Sequence, residues 1–167
     1  MIYYCTESWW YKVKKIMFVC SGNICTSVMA KYLLCDILEK NNLESNYEVY
    51  SSGVFAYNGQ TPPKETIETM MSRSIDVSNH RATSTDNSNI HNMDLILCMT
   101  NAQKLQLKTR YKELEPRIYT LKEYVIYDDG DNKDIDIEDP YKGSWAIYLE
   151  CLRQIDICLN KLIKIIE

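Results

Sequence analysis

The order of elements along this chain predicts an α/β fold: one three-layer domain, with a doubly wound, four-stranded parallel sheet and helices on both faces. Two apolar runs, Ile16-Met-Phe-Val-Cys20 and Met93-Asp-Leu-Ile-Leu-Cys-Met-Thr100, are continuous rather than alternating, as strands buried on both faces are. Stretches with helical spacing of apolar residues alternate with the strands, giving β-α-β-α-β-α-β-α. No internal repeat or composition shift marks a second domain, so residues 16–167 form one unit behind an extension, residues 1–15.

The first strand ends at Cys20. From Ser27, the residues Met29, Leu33, Ile37 and Leu38 recur at helical spacing, with Asp36, Glu39 and Lys40 mostly opposite, until Asn41-Asn-Leu-Glu-Ser45 stops the helix. Tyr47-Glu-Val-Tyr-Ser-Ser-Gly53 alternates and ends on glycine, which reads as a strand. A turn-rich loop leads to a helix starting near Pro62–Pro63, whose apolar face is Ile67, Met70 and Met71. A polar helix follows from about Asn101, then a short strand, Arg117-Ile-Tyr-Thr-Leu121. The acidic stretch from Asp128 to Pro140 reads as a solvated lid; Gly130 is misplaced for a calcium loop, and no glutamate follows at the required spacing. The last helix, Ser144 to Ile166, is expected to bury Ile147, Leu152, Ile155, Leu159, Leu162 and Ile166.

At 167 residues, 46% hydrophobic and 25% charged, the chain has enough apolar material for a real core. A net charge of -4 argues against a nucleic-acid partner. Seven cysteines is an odd number, no CxxC pair is present and there are only two histidines. A disulfide framework, a metal and a cofactor are therefore not expected. The aromatic N-terminus (Tyr3, Tyr4, Trp9, Trp10, Tyr11) lacks the apolar core of a signal peptide, and no run is long enough for a membrane span. A cytoplasmic protein is expected, and nothing specifies an oligomeric state.

The chemistry is concentrated in Cys20-Ser-Gly-Asn-Ile-Cys-Thr-Ser-Val-Met-Ala30. Ligands of doubly wound sheets bind at the carboxyl ends of strands, where Cys20 lies. Loop N–H groups running into a helix converge on an anion, and the helix dipole adds positive potential. The same field favours the thiolate, the nucleophilic form of cysteine. Gly22 is read as supplying unusual backbone angles, Asn23 as a loop brace, and Ser27 as a partner for either the helix amides or the thiolate.

This loop resembles the phosphate-binding loop of low-molecular-weight protein tyrosine phosphatases, C-x-G-N-x-C-R-S-P-x-A. Further similarities are Ser51-Ser-Gly53, Ile75-Asp-Val-Ser-Asn-His-Arg-Ala82, Asp94-Leu-Ile-Leu-Cys-Met-Thr100, Thr120-Leu-Lys-Glu-Tyr124 and Glu138-Asp-Pro-Tyr-Lys-Gly-Ser144. The Thr120 and Ser51 segments also resemble the bacterial branch that includes protein-arginine phosphatases. The resemblance implies the fold of that family and a phosphorylated protein as substrate. It implies Cys20 as nucleophile, Asp139 as general acid and base, and Ser27 as catalytic support. Ser21, Gly22, Asn23, Ile24, Cys25 and Thr26 would form the phosphate loop, with Ser52 behind it. Ile24, Tyr57 and Tyr141 would line the substrate slot, and Cys25 would be a redox partner able to protect an oxidised Cys20.

The chain departs from the pattern at Thr26, where the family places arginine, and at Val28 and Lys31. Losing an oxyanion donor costs on the order of 10²–10³ in rate. Lys31 is expected to point away from the loop, leaving Arg81 and Lys142 as other cations. The loop's Thr-Ser ending also resembles IIB components of the lactose/cellobiose sugar phosphotransferase systems, whose loop reads C-S-A-G-M-S-T-S. Those domains lack the Asp-Pro-Tyr segment. The leading expectation is a phosphotyrosine phosphatase weakened by Thr26. The alternatives are a phosphate-binding pseudophosphatase, a protein-arginine phosphatase and a phosphocysteine carrier.

Overall fold

The computed structural model describes residues 14–126 and 134–167. The aromatic N-terminal cluster and the first part of the acidic lid lie outside the described residues.

Strands β1 (Lys15–Cys20), β2 (Glu48–Gly53), β3 (Leu95–Cys98) and β4 (Ile118–Thr120) form one sheet in the order β2-β1-β3-β4. Every pairing is parallel, with Val19 opposite Ser52 on one side and Cys98 on the other. Chain order reverses between the neighbours of β1, so Cys20 ends a central strand at the switch point, where such sheets form a crevice. The continuous apolar run of β1 follows from this position: Ile16 to Cys20 are all buried. β1 starts one residue earlier than the sequence reading.

The helices are α1 (Thr26–Lys40), α2 (Lys64–Met71), α3 (Asn101–Arg110), α4 (Leu121–Tyr124) and α5 (Trp145–Ile166). One face of the sheet packs Phe18 and Leu97 against α1 and α5. The other packs Met17, Val19 and Ile96 against Leu107 of α3 and Leu114. Both faces are thus covered, completing three layers.

Local signals explain the element ends. Thr100 caps α3 with a reciprocal box involving Gln103, and Thr120 caps α4 in the same way with Glu123. Ser144 caps α5 by accepting from the Ile147 N–H. Pro63 precedes α2, where its missing N–H costs no helical bond.

Two burial expectations fail. Ile147 is 51% exposed, because the buried stripe of α5 runs through Tyr148, Cys151, Leu152, Ile155, Cys158, Leu159 and Leu162, and its neighbour Ile147 is turned off that stripe. Met71 is likewise 51% exposed at the last residue of α2, while Thr66, Thr69 and Met70 face inward. Among the described residues, no helix is long and apolar enough to cross a membrane.

Candidate active site

The loop from Cys20 to Cys25 leaves the buried end of β1 and enters α1, so its backbone wraps the Cys20 thiol. The Asn23 N–H donates to Cys20 Sγ at 3.2 Å, and Ser27 Oγ lies 2.9 Å from the same sulfur. Asn23 Nδ2 donates to Ser27 Oγ at 2.9 Å, which frees the serine proton for the sulfur. Of the two roles expected for Ser27 it takes the one at the thiol; the residue preceding α1 is Cys25, which makes no side-chain cap.

Asn23 carries the strained position of the loop. Its φ of 54° is in the left-handed region, which asparagine tolerates. Its Oδ1 accepts from the Thr83 N–H at 2.9 Å, and its carbonyl oxygen lies 3.0 Å from His80 Nε2. The geometry requires an N–H on that nitrogen, and burial holds the His80 pKa below its ordinary value, favouring the neutral ring. Gly22, expected to supply the unusual angles, is not in the left-handed region.

The glycine that matters is Gly53. A Cβ there would fall 2.6 Å from the Ser21 carbonyl oxygen and 2.9 Å from the Asn23 nitrogen. The two residues that follow β2 also support the loop through backbone bonds, from the Val54 N–H to the Cys20 carbonyl and from the Phe55 N–H to the Ser21 carbonyl. Ser52 does not support the loop with its side chain: its hydroxyl donates to Met17 Sδ at 3.2 Å, because the strand alternation puts it on the sheet face that carries Met17 and Val19. Gln103 is a loop contact that the sequence did not reveal. Its Nε2 donates to Ser21 Oγ at 3.2 Å, while its Oε1 accepts from the N–H groups of Met99 and Thr100.

Above the thiol opens a cavity of about 290 Å³, lined by Cys20, Ser21, Ile24, Tyr57, Asp139 and Tyr141, together with Phe55 and Gln60. The three expected slot residues therefore share one wall with the cysteine and the aspartate, and Phe55 and Gln60 join them unexpectedly. Tyr57 is 79% exposed and stands at the mouth. Asp139 is turned by a short local bond, its Oδ1 accepting from the Tyr141 N–H at 3.0 Å.

The segment matched by the model for "Low molecular weight phosphotyrosine protein phosphatase" is 15–167. This chain belongs to that family. It is 34% identical over 150 residues to a protein-arginine-phosphatase of Bacillus subtilis, covering 89% of this chain and 94% of the relative. A crystal structure of a low molecular weight protein tyrosine phosphatase from T. tengcongensis superposes with a TM-score of 0.81 at 32% identity, covering 90% of this chain and 98% of that one. A YwlE arginine phosphatase carrying a Cys-to-Ser change and a phosphorylated active-site serine matches with a TM-score of 0.81 at 31% identity, over 90% and 93%.

Within this low-molecular-weight phosphatase frame, Thr26 is buried at the first position of α1 and does not line the cavity. Among the described residues, no lysine or arginine lines that cavity. The Lys31 ammonium lies 5.2 Å from the centroid of the Tyr32 ring, and Arg81 Nη1 donates to the Ser78 and His80 carbonyls. Lys142 sits over the Tyr141 ring, 5.5 Å from its centroid. None of the three lines the cavity above Cys20.

Cys25 does line it, and Thr66 Oγ1 donates to its sulfur at 3.3 Å. Burial pushes the Cys25 thiol up to about 12, so it is protonated at neutral pH. Cys98 is fully buried in β3, and burial raises its thiol as well.

Proposed function

We propose that this chain hydrolyses phosphotyrosine on proteins through a phosphocysteine intermediate, at a rate lowered by Thr26. The observation that carries the reading is the Cys20 sulfur, held by the Asn23 N–H and Ser27 Oγ on the floor of a cavity whose rim bears Asp139.

In the first step the Cys20 thiolate attacks phosphorus. The S–P bond forms, the P–O bond to the tyrosine breaks, and its electron pair leaves on the phenolic oxygen. Asp139 gives that oxygen its proton. In the second step Asp139, now a carboxylate, takes a proton from water. The water oxygen attacks phosphorus, the S–P bond breaks, and the thiolate returns with release of inorganic phosphate. Asp139 Oδ2 takes no protein donor among the described residues, which suits a group that moves protons. The phosphorylated active-site serine of the similar YwlE mutant, which stands where that protein has a cysteine, supports a covalent intermediate at Cys20.

Charge on the transferring phosphoryl oxygens would be met by loop N–H groups and the start of α1. The family pattern adds a bidentate guanidinium, which a threonine hydroxyl cannot replace. Ile24, Phe55, Tyr57 and Tyr141 give the slot apolar and aromatic walls, which favour an aryl phosphate. The similarity to protein-arginine-phosphatases makes phosphoarginine the competing substrate.

Turnover of p-nitrophenyl phosphate tests the reading. Activity should vanish in Cys20→Ser and fall in Asp139→Asn, and Thr26→Arg should raise it on the order of 10²-fold. No gain from Thr26→Arg together with no loss from Cys20→Ser would rule the reading out. A second reading, a pseudophosphatase that holds phosphorylated proteins, draws on the burial of Thr26 away from the cavity. Binding of a phosphotyrosine peptide without measurable hydrolysis would select it.

A further inference from the structure

A second cavity, of about 510 Å³, shares no wall residue with the one above Cys20. Lys31 and Tyr32 of α1, Ser51 of β2, and His80, Arg81 and Thr83 from the segment after α2 line it. These come from three segments far apart in sequence, so the cavity exists only in the folded domain.

Two cations face this space in a chain whose net charge is -4. Among the described residues neither Lys31 nor Arg81 pairs with a carboxylate: Lys31 contacts the Tyr32 ring, and Arg81 uses only Nη1, on two backbone carbonyls. The nearby acids are occupied locally. Asp76 Oδ1 accepts from the Ser78 N–H, and Glu48 accepts from the Tyr50 hydroxyl and lies 3.9 Å from Lys15. Ser51 adds an independent observation. Its Oγ is buried and has no hydrogen-bond partner, although buried hydroxyls are nearly always satisfied.

Two cations without a carboxylate partner line this cavity, and the shielded Ser51 hydroxyl lies within its lining; the pair of charges fits a compact, multiply charged oxygen anion better than any apolar guest. Arginine offers such a group paired N–H donors and lysine a point charge, the combination that recognises phosphate. Burial lowers the Lys31 pKa, since the ammonium gives up hydration and Cys35 offsets only part of that loss, and an anion beside it would favour the charged form. Space remains beyond the phosphate for a small polar body along the neutral side chains of Asn87, Ser88 and Asn89.

We propose that this cavity binds the phosphate group of a small phosphate monoester, at a site separate from Cys20. Its wall includes His80 and Thr83, the two residues that brace Asn23.

The test is an amide-shift titration of the full-length chain carrying Cys20→Ala, so that the ester is not consumed, with inorganic phosphate in one arm and ribose 5-phosphate in the other. Saturable shifts are expected at Asn87, Ser88 and Asn89 in both arms, with the ester binding more tightly. Arg81→Gln, an exposed change, and Lys31→Gln should each weaken that binding on the order of tenfold, the size of one charge-assisted hydrogen bond. Shifts confined to residues 20–26, or unaltered in both variants, would overturn the site. Saturation by inorganic phosphate alone would overturn the ester and assign the cavity to the free ion.

Discussion

Replacing Asn23 by alanine probes the brace on which the cysteine loop depends. The side chain is fully buried and makes two hydrogen bonds, from Nδ2 to Ser27 and to Oδ1 from the Thr83 N–H. Each is worth about 1 kcal/mol net. Alanine at a φ of 54° adds about 1 kcal/mol of backbone strain that asparagine tolerates better. The expected loss of stability is therefore about 3 kcal/mol, read as a lower urea midpoint at unchanged slope. Phosphate affinity should fall as well, because Asn23 also presents its N–H towards the Cys20 sulfur. Asn23→Gly separates the contributions: it removes both side-chain bonds but relieves the strain, and should recover about 1 kcal/mol of the loss. A change below about 0.5 kcal/mol in Asn23→Ala, with phosphate affinity intact, would refute the idea that this residue holds the loop.

Further outcomes follow from other contacts. Gly53→Ala should cost about 1–3 kcal/mol, since its Cβ would meet the backbone of Ser21 and Asn23, and thermal unfolding together with vanadate affinity would register both effects. Burial lowers the folded-state pKa of His80, so the unfolded chain binds its proton more readily. Stability should therefore decline as pH falls below about 6.5 and stop declining once the folded-state pKa is passed, and urea midpoints at pH 7, 6 and 5 should show a weaker decline in His80→Gln. Leu159→Ala, at a fully buried position of α5, should cost about 2–5 kcal/mol without altering p-nitrophenyl phosphate turnover at low temperature.

The resemblance of the loop and of the Asp-Pro-Tyr segment groups Cys20, Ser27, Asp139 and Tyr141 from the sequence alone, and the fold sets these side chains around one cavity or one sulfur. Such matches work because loop and helix start are continuous in sequence, so residue type and spacing encode their geometry directly. Ser52 and Gly22 differ from the sequence expectation for a related reason. Their position near the loop was legible, but the direction of one side chain and the backbone angle of the other depend on what packs against them. Gln103 and Gly53 left no readable signal of their function: a polar residue in a helix and a glycine at a strand end are common, and only the approach of the Cys20 loop makes each matter.

By itself the sequence determined the alternation of strands and helices, the buried character of β1 and β3, and the identity of the cysteine loop with its missing arginine. These properties are local: hydrophobic period, caps and turn chemistry act over a few residues. The tertiary structure decided what lies across the gaps. It turned Ile147 and Met71 outward, set His80 and Thr83 behind Asn23, kept Lys31, Arg81 and Lys142 off the wall of the Cys20 cavity, and gathered Lys31, Arg81 and Ser51 around a second one. Those outcomes depend on how parallel strands and their crossovers bring distant segments together, which no periodicity within one segment records.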